Sequence, residues 1–159
     1  MREGLITMTE YDANGGRSLG GAQPVRKSKL PPELNALTER VIAAAMEVHR
    51  ALGPGYAESV YEHALAVELA LRQIPYSRQH ATEIIYKGIR VGEQRLDFVV
   101  ADAVILELKA VEEMANVHHA QLISYLKATQ MKLGLLLNFN VSMLRYGLRR
   151  VVHPDYYQS

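Results

Sequence analysis

The chain has 159 residues, of which 48% are hydrophobic and 22% charged, a balance typical of a folded globular domain. Lysine and arginine number 18 and aspartate and glutamate 17, so the net charge of +1 excludes a protein that holds nucleic acid by bulk positive charge alone. The absence of cysteine excludes disulfide scaffolds, thiolate zinc sites and cysteine nucleophiles.

The first 32 residues differ in composition from the rest. They contain five of the 11 glycines and three of the six prolines, and their apolar residues follow no period. We predict a flexible leader over residues 1–32, one domain over residues 33–153 and a short tail over residues 154–159. No apolar run approaches the roughly 18 residues of a membrane span, and the leader has no signal-peptide stretch. We therefore expect a cytoplasmic protein without membrane association.

Two helices are predicted at the start of the domain. Apolar residues recur in steps of three and four from Leu34 to Leu52, and the Gly-Pro-Gly sequence at 53–55 ends the first helix. A second helix begins near Glu58 and is limited by Pro75. Each helix carries an apolar stripe, which indicates that one of its faces packs against a core.

Strand-forming segments and one further helix make up the remainder. Strands are predicted over 81–86, 95–100, 104–110 and 132–138, with 89–91 as a short strand or the start of the next one, and a final strand over 147–152. Helical spacing of apolar residues predicts a helix over 116–129. Two helices, three strands, a helix and one or two strands indicate an α/β fold, in which helices pack on one sheet.

The hairpin formed by 95–100 and 104–110 brings charged residues together. Side chains alternate between faces along a strand, so the apolar residues take one face and leave Asp97, Glu107 and Lys109 on the other. A turn over 101–103 sets the register and places Asp97 opposite Glu107. Two carboxylates at that distance repel unless a cation lies between them, and oxygen ligands suit Mg²⁺, Mn²⁺ or Ca²⁺. The alternative is a solvated face with a Glu–Lys pair worth under about 1 kcal/mol.

Residues on two neighbouring helices supply further candidates. Gln121 and Tyr125 are four residues apart and share one face of the helix that follows this hairpin. Glu58 opens the second helix, either as a partner of the helix dipole or as a third metal ligand. His118 and His119 point about 100° apart on a helix, so they cannot easily bind one metal together, although one of them can line the site.

The motifs that carry these residues are similar to those of the GxxExxY protein family. That family is in turn similar to the PD-(D/E)XK nuclease superfamily, whose core is an αβββαβ unit around a mixed central sheet, here with an extra N-terminal helix. Leu96 stands where the superfamily name calls for proline. The matching segments are GYAESVY at 55–61, RLDFVV at 95–100, ILELKAVE at 105–112, HHAQLISYLK at 118–127 and LGLLLNF at 133–139.

The resemblance implies a metal site and a catalytic lysine. Asp97, Glu107 and Glu58 would bind one or two Mg²⁺ or Mn²⁺ ions. Such ions neutralise charge on a phosphate and activate water for hydrolysis. Lys109 would position or deprotonate that water, or stabilise the transition state.

The same resemblance assigns the third helix to the catalytic site and to the substrate. Gln121 and Tyr125 are similar to the Q-x-x-x-Y element of RecB-like nucleases and would orient the site or touch the substrate backbone. Lys127 belongs to a basic stretch, residues 115–153, that contains no aspartate or glutamate. That stretch suits a rim that contacts phosphates, with ordinary surface charges as the alternative.

We therefore expect a metal-dependent nuclease that hydrolyses phosphodiester bonds of DNA or RNA. The alternative is a catalytically silent module of the same fold that binds nucleic acid or a protein in a stress or defence complex. An intact set of Asp97, Glu107 and Lys109 favours the enzyme, because a pure binding module does not need it. A homodimer or a protein complex is compatible with either function.

Overall fold

Helices and strands account for most of residues 30–156, the part of the chain that the computed structural model describes. Their order confirms the predicted α/β fold. In chain order they are α1 (Pro32–Leu52), α2 (Glu58–Leu71), β1 (Tyr76–Tyr86), β2 (Ile89–Val100), β3 (Val104–Lys109), α3 (Asn116–Thr129), β4 (Leu133–Asn138), α4 (Leu144–Gly147) and β5 (Leu148–Val152), followed by a 3-10 turn at Pro154–Tyr156.

The first two strands are longer than the sequence pattern indicates. β1 begins at Tyr76, five residues before the predicted strand, and the segments 89–91 and 95–100 are parts of one strand, β2. A tight turn at Lys87 and Gly88, both with positive φ, joins the two strands. The first half of β1 was missed because its residues are mostly polar and only partly buried.

The strands form one mixed sheet in the order β1-β2-β3-β4-β5. β3 and β4 run parallel and are connected by α3, whereas the other neighbouring strands are antiparallel. Helices α1 and α2 cover one face of the sheet and α3 covers the other, so the sheet buries apolar residues in two separate clusters. This is the expected αβββαβ core, with an additional helix before it and a further strand after it.

The two clusters show which face each residue of β2 and β3 occupies. Phe98, Leu106 and Leu108 pack beneath α1 and α2, as strict alternation predicts. Alternation also predicts Leu96 on that face, and this is wrong, because Leu96 packs beneath α3. The alternation is lost because β2 is irregular at Asp97, which lies between Leu96 and Phe98.

The ends of the described region lie against the core. Leu30 is buried in the main cluster, and Pro32 opens α1, where a residue needs no hydrogen-bonded N–H. Residues 1–29 of the predicted leader and residues 157–159 of the predicted tail lie outside the described residues. Tyr156 packs against the main cluster. Over residues 30–156, none of the helices combines the length and apolar character that a bilayer span requires.

Gly147 lies at a close contact between α4 and the end of β4. A methyl group added there would overlap the carbonyl oxygen of Asn138 and lie 3.2 Å from its Cβ atom. The backbone must shift to relieve that overlap, so we expect Gly147→Ala to lower the free energy of unfolding by about 1–3 kcal/mol in urea denaturation. Gly92→Ala is the control, because its methyl group enters open space. Equal urea midpoints for the two variants would contradict this packing.

Candidate active site

Asp97 interrupts the pairing of β2 with β3. The backbone ladder between these strands ends at the pair Phe98 and Leu106. Beyond it, the Leu108 N–H donates to Asp97 Oδ2 over 2.8 Å, and the Asp97 N–H donates to Glu107 Oε1 over 3.3 Å. Side-chain oxygens thus replace main-chain partners, and they bring Asp97 and Glu107 together as the hairpin register predicts.

The strand on the other side of Asp97 is also irregular. β1 and β2 pair above and below this position, but Gln79, which lies opposite Asp97, is left out of the ladder. Gln79 has a φ of 49°, in the left-handed region that residues other than glycine rarely adopt. Backbone strain of this kind concentrates at functional sites. The distortion at Asp97 therefore involves both of its neighbouring strands.

Asp97 and Glu107, called the carboxyl pair below, influence each other's ionisation. Glu107 is 5% exposed, and burial together with the negative charge of Asp97 raises the pKa of its carboxyl group to about 8. Burial also raises the pKa of Asp97, against the opposing effect of the Leu108 N–H. At neutral pH the pair therefore retains a proton, which a bound cation would replace.

Lys109 places a positive charge beside this pair. It is the last residue of β3, is half-buried, and follows Glu107 by two residues on the same face of the strand. Burial is the main cause of the raised pKa of Asp97, Glu107 and Glu58, and the charge of Lys109 opposes it in each case. Three carboxyl groups and one amine thus form a single electrostatic cluster.

Tyr61 holds the loop that leads to Glu58. Its buried ring stacks on Phe139 with a centroid separation of 4.6 Å. Its hydroxyl donates to the Gly53 carbonyl over 2.6 Å and accepts the Tyr56 N–H over 3.2 Å. Because Glu58 is the first residue of α2, these bonds set the start of the helix and the position of its carboxyl group.

Glu62, which was not among the predicted site residues, links α2 to the distorted strand. Its Oε1 atom accepts hydrogen bonds from Arg78 Nη2 over 3.1 Å and from Gln79 Nε2 over 3.0 Å. Its negative charge adds to the effect of burial in raising the pKa of Asp97. Glu62 follows Glu58 by four residues and therefore shares its helix face, and this spacing was the signal available in the sequence.

The polar residues predicted on α3 lie in different environments. Tyr125 is 5% exposed, and its hydroxyl donates to Gln94 Oε1 over 3.4 Å. Burial and the charges of the carboxyl pair raise its pKa to about 12. Gln121 and Lys127 are exposed, and within the described residues neither shares a hydrogen bond with the carboxyl pair.

The two adjacent histidines of α3 face different surroundings. His118 Nδ1 accepts the Ala115 N–H over 3.3 Å at the start of the helix. Burial is the main cause of the lowered pKa of His118 and the charge of Lys109 adds to it, so this histidine lies near Lys109. His119 is 8% exposed and lines a cleft beside β4.

The carboxyl pair has the chemistry of a site for a divalent cation. It offers oxygen donors from two strands, and a cation would relieve both their repulsion and the effect of burial. Across residues 30–156, no three side chains of His, Asp or Glu are close enough to hold a metal together. Glu58 therefore acts on the pair through its charge in this conformation. Asp97 and Glu107 fit Mg²⁺, which commonly keeps water molecules among its ligands.

Comparison with known proteins adds one match. A family model of the PD-(D/E)XK nuclease superfamily matches residues 35–151, well over half of the chain. The matched region contains Glu58, the carboxyl pair, Lys109 and Tyr125. No curated protein matches the chain at a significant level.

Proposed function

The chain belongs to the PD-(D/E)XK nuclease superfamily, and on that basis we propose that it is a metal-dependent nuclease that hydrolyses phosphodiester bonds of DNA or RNA. Within the superfamily we place it in the GxxExxY family, because Gly55, Glu58 and Tyr61 carry that spacing. Glu58 opens α2 and Tyr61 holds the preceding loop, so two of the three motif residues have a role that relates to the site.

The observation that carries the proposal is a buried carboxyl pair beside a lysine. An ordinary surface salt bridge would leave the carboxyl groups solvated, whereas Glu107 is 5% exposed and is hydrogen-bonded to the Asp97 backbone. Burying two carboxyl groups in contact is unfavourable unless a proton or a cation compensates them. A protein that needed only a stable sheet would be better served by apolar residues at these positions.

The side chains have separate tasks in the proposed reaction. Asp97 and Glu107 would hold Mg²⁺ or Mn²⁺, which supplies charge neutralisation at the phosphate and acidification of water when bound. Lys109 would orient the attacking water or stabilise the negative charge that develops on the phosphate oxygens. Tyr125 would limit solvent access beside the pair, and Glu58 would add negative charge that favours cation binding.

A nuclease assay on the purified protein tests the proposal. We expect degradation of DNA or RNA with Mn²⁺ or Mg²⁺, and its loss on addition of EDTA and in Asp97→Asn. Asparagine keeps an oxygen that can accept the Leu108 N–H, so this variant removes a charge and preserves the strand contact. Asp102→Asn is the matched control, because Asp102 lies exposed in the turn after β2 and has a positive φ that asparagine tolerates.

Two results of this assay would contradict the proposal. Equal cleavage by Asp97→Asn and wild type would identify a contaminating nuclease. Full activity in EDTA would exclude the metal-dependent reaction.

The second candidate is a silent module that binds nucleic acid or a protein partner. It is favoured by the lack of a third preassembled acidic or histidine ligand within residues 30–156. Such a module would bind a labelled oligonucleotide, or capture a protein partner, with equal affinity in the wild type and in Asp97→Asn. It would leave every oligonucleotide intact in Mn²⁺, and this result separates it from the nuclease.

A further inference from the structure

A cleft of about 380 Å³ opens between the start of α3 and the junction of α4 with β5. That volume is within the range of small-ligand sites. Polar and aromatic groups line it, among them Asn116 and His119 from α3, Asn138 from β4, and Tyr146 and Arg149 from the α4–β5 junction. None of the residues to which the nuclease proposal assigns chemistry lines this cleft.

The cleft is adjacent to the carboxyl pair on the same face of the sheet. Leu136, on its floor, is the register partner of Glu107 in the parallel pairing of β3 with β4. Arg149 is in turn the register partner of Leu136 on β5. Neighbouring strands lie about 4.8 Å apart, so Arg149 is two strand spacings, roughly 10 Å, from Glu107. A polymer that crosses the carboxyl pair can therefore reach the cleft with its next unit.

Tyr146 offers an aromatic surface at this cleft. Its side chain is 58% exposed, and the Arg145 guanidinium lies 5.1 Å from the ring centroid. Exposed aromatic rings with arginine beside them are the usual platform for stacking of unpaired bases. Arg149 adds a positive charge, and its Nη1 atom donates to the carbonyls of Tyr146 and Leu148, which fixes the guanidinium at the cleft.

Two acidic residues restrict what the cleft can accept. Glu112 and Glu113, from the loop between β3 and α3, are exposed and also line it. Their charges would repel the two closely spaced phosphate backbones of a duplex. Carboxylate oxygens do accept hydrogen bonds from the amino groups of exposed bases. The mixture of an aromatic ring, one cation and two acceptors therefore matches a nucleotide better than a bare phosphate or a duplex.

We infer that this cleft binds one unpaired nucleotide next to the phosphodiester that is cleaved, with its base stacked on Tyr146 and its phosphate near Arg149. The inference rests on the proposed nuclease function and specifies its substrate as single-stranded nucleic acid. Whether the strand is DNA or RNA does not affect the stacking, because every base presents a π-face.

Binding and cleavage by the full chain test the inference separately. A fluorescein-labelled single strand, as DNA and as RNA, and the same strand annealed to its complement are titrated in EDTA by anisotropy and then cleaved in Mn²⁺. Tyr146→Ala is expected to raise Kd for the single strand by about 5- to 100-fold, because loss of one stacked base has that effect. Its Kd for the duplex should stay unchanged.

Two control variants isolate the stacking contribution. Tyr146→Phe keeps the ring and should bind the single strand as the wild type does. Tyr86→Ala removes another exposed tyrosine with a cation beside its ring, at the far end of the β1–β2 hairpin, and should also bind normally.

The outcomes separate the two proposals. Wild-type affinity for the single strand in Tyr146→Ala, an equal loss of single-strand and duplex binding, or a wild-type preference for duplex would overturn the inference. In each of these cases Mn²⁺-dependent cleavage would still support the nuclease. Selective single-strand binding through Tyr146 without any cleavage in Mn²⁺ would instead support the binding site and contradict the nuclease.

Discussion

Replacing Lys109 with methionine is expected to lower the rate of phosphodiester cleavage by about 10²- to 10⁴-fold, the range typical for loss of a proton-transferring or charge-stabilising group. The substitution removes the positive charge that lowers the pKa of both carboxyl groups of the pair and keeps most of the aliphatic chain at the end of β3. Folding should be little affected, because the side chain is half-buried and its flexible end bears the charge. Initial rates on a labelled oligonucleotide in Mn²⁺ measure the effect.

Two further variants make this prediction specific. Lys132→Met also removes one lysine charge. Lys132 comes just before β4, at the end of that strand away from Lys109, and its ammonium lies over the Tyr156 ring, so this variant should cleave as the wild type does. Lys109→Arg keeps the charge, so partial activity there would assign Lys109 to charge stabilisation and inactivity would assign it to proton transfer. Wild-type rates for Lys109→Met would remove the lysine from the mechanism.

The metal-free protein is expected to lose stability as the pH rises from about 5 to about 9. Glu107 has a pKa of about 8 in the folded state, against an ordinary value of 4.5. Between these values the folded protein holds a proton that the unfolded chain has released, so unfolding becomes easier as the pH rises. The stabilisation is complete below about pH 4.5, and its loss through pH 8 is on the order of 3–5 kcal/mol. Urea denaturation in EDTA at several pH values measures it.

A substitution and the addition of metal each test whether Glu107 causes this dependence of stability on pH. Glu107→Gln removes the titrating group and should flatten the dependence, whereas Glu39→Gln, exposed on α1, should leave it as in the wild type. Mn²⁺ should raise the melting temperature most at high pH, because ligand oxygens must be deprotonated to bind it. A wild-type profile that stays flat, or that rises with pH, would show that Glu107 ionises normally in the fold.

The central hairpin could be derived from the sequence because its pattern is local. Apolar alternation in β3 and the three-residue turn at 101–103 were enough to bring Asp97 to Glu107, and both elements are present as expected. Helix α3 has the predicted bounds, since helical spacing of apolar residues is a strong signal over 14 residues. Gln121 and Tyr125 were found by their four-residue spacing and Glu58 by its place at the start of a helix, and the family resemblance then implied their roles.

Other features depend on tertiary contacts and left little trace in the sequence. Leu96 was placed on the wrong face because alternation assumes a regular strand, and at Asp97 the side chains of Asp97 and Glu107 accept N–H groups across the two strands. Glu62 acts through Arg78 and Gln79 on another element, so its role emerges only when α2 packs beside β1. Strand propensity alone did not predict the polar first half of β1, because that half is stabilised by its pairing with β2.

The hydrogen bond from the Leu108 N–H to the Asp97 carboxylate has a consequence for how this protein can evolve. The side chain at position 97 joins two strands as well as carrying the proposed chemistry, whereas within residues 30–156 no hydrogen bond ties the Lys109 side chain to another element. In a lineage that abandons catalysis, mutation should therefore erase the lysine first and spare the aspartate. Inactive descendants would keep an acidic residue at position 97 for structural reasons, so an aspartate there would not by itself indicate nuclease activity.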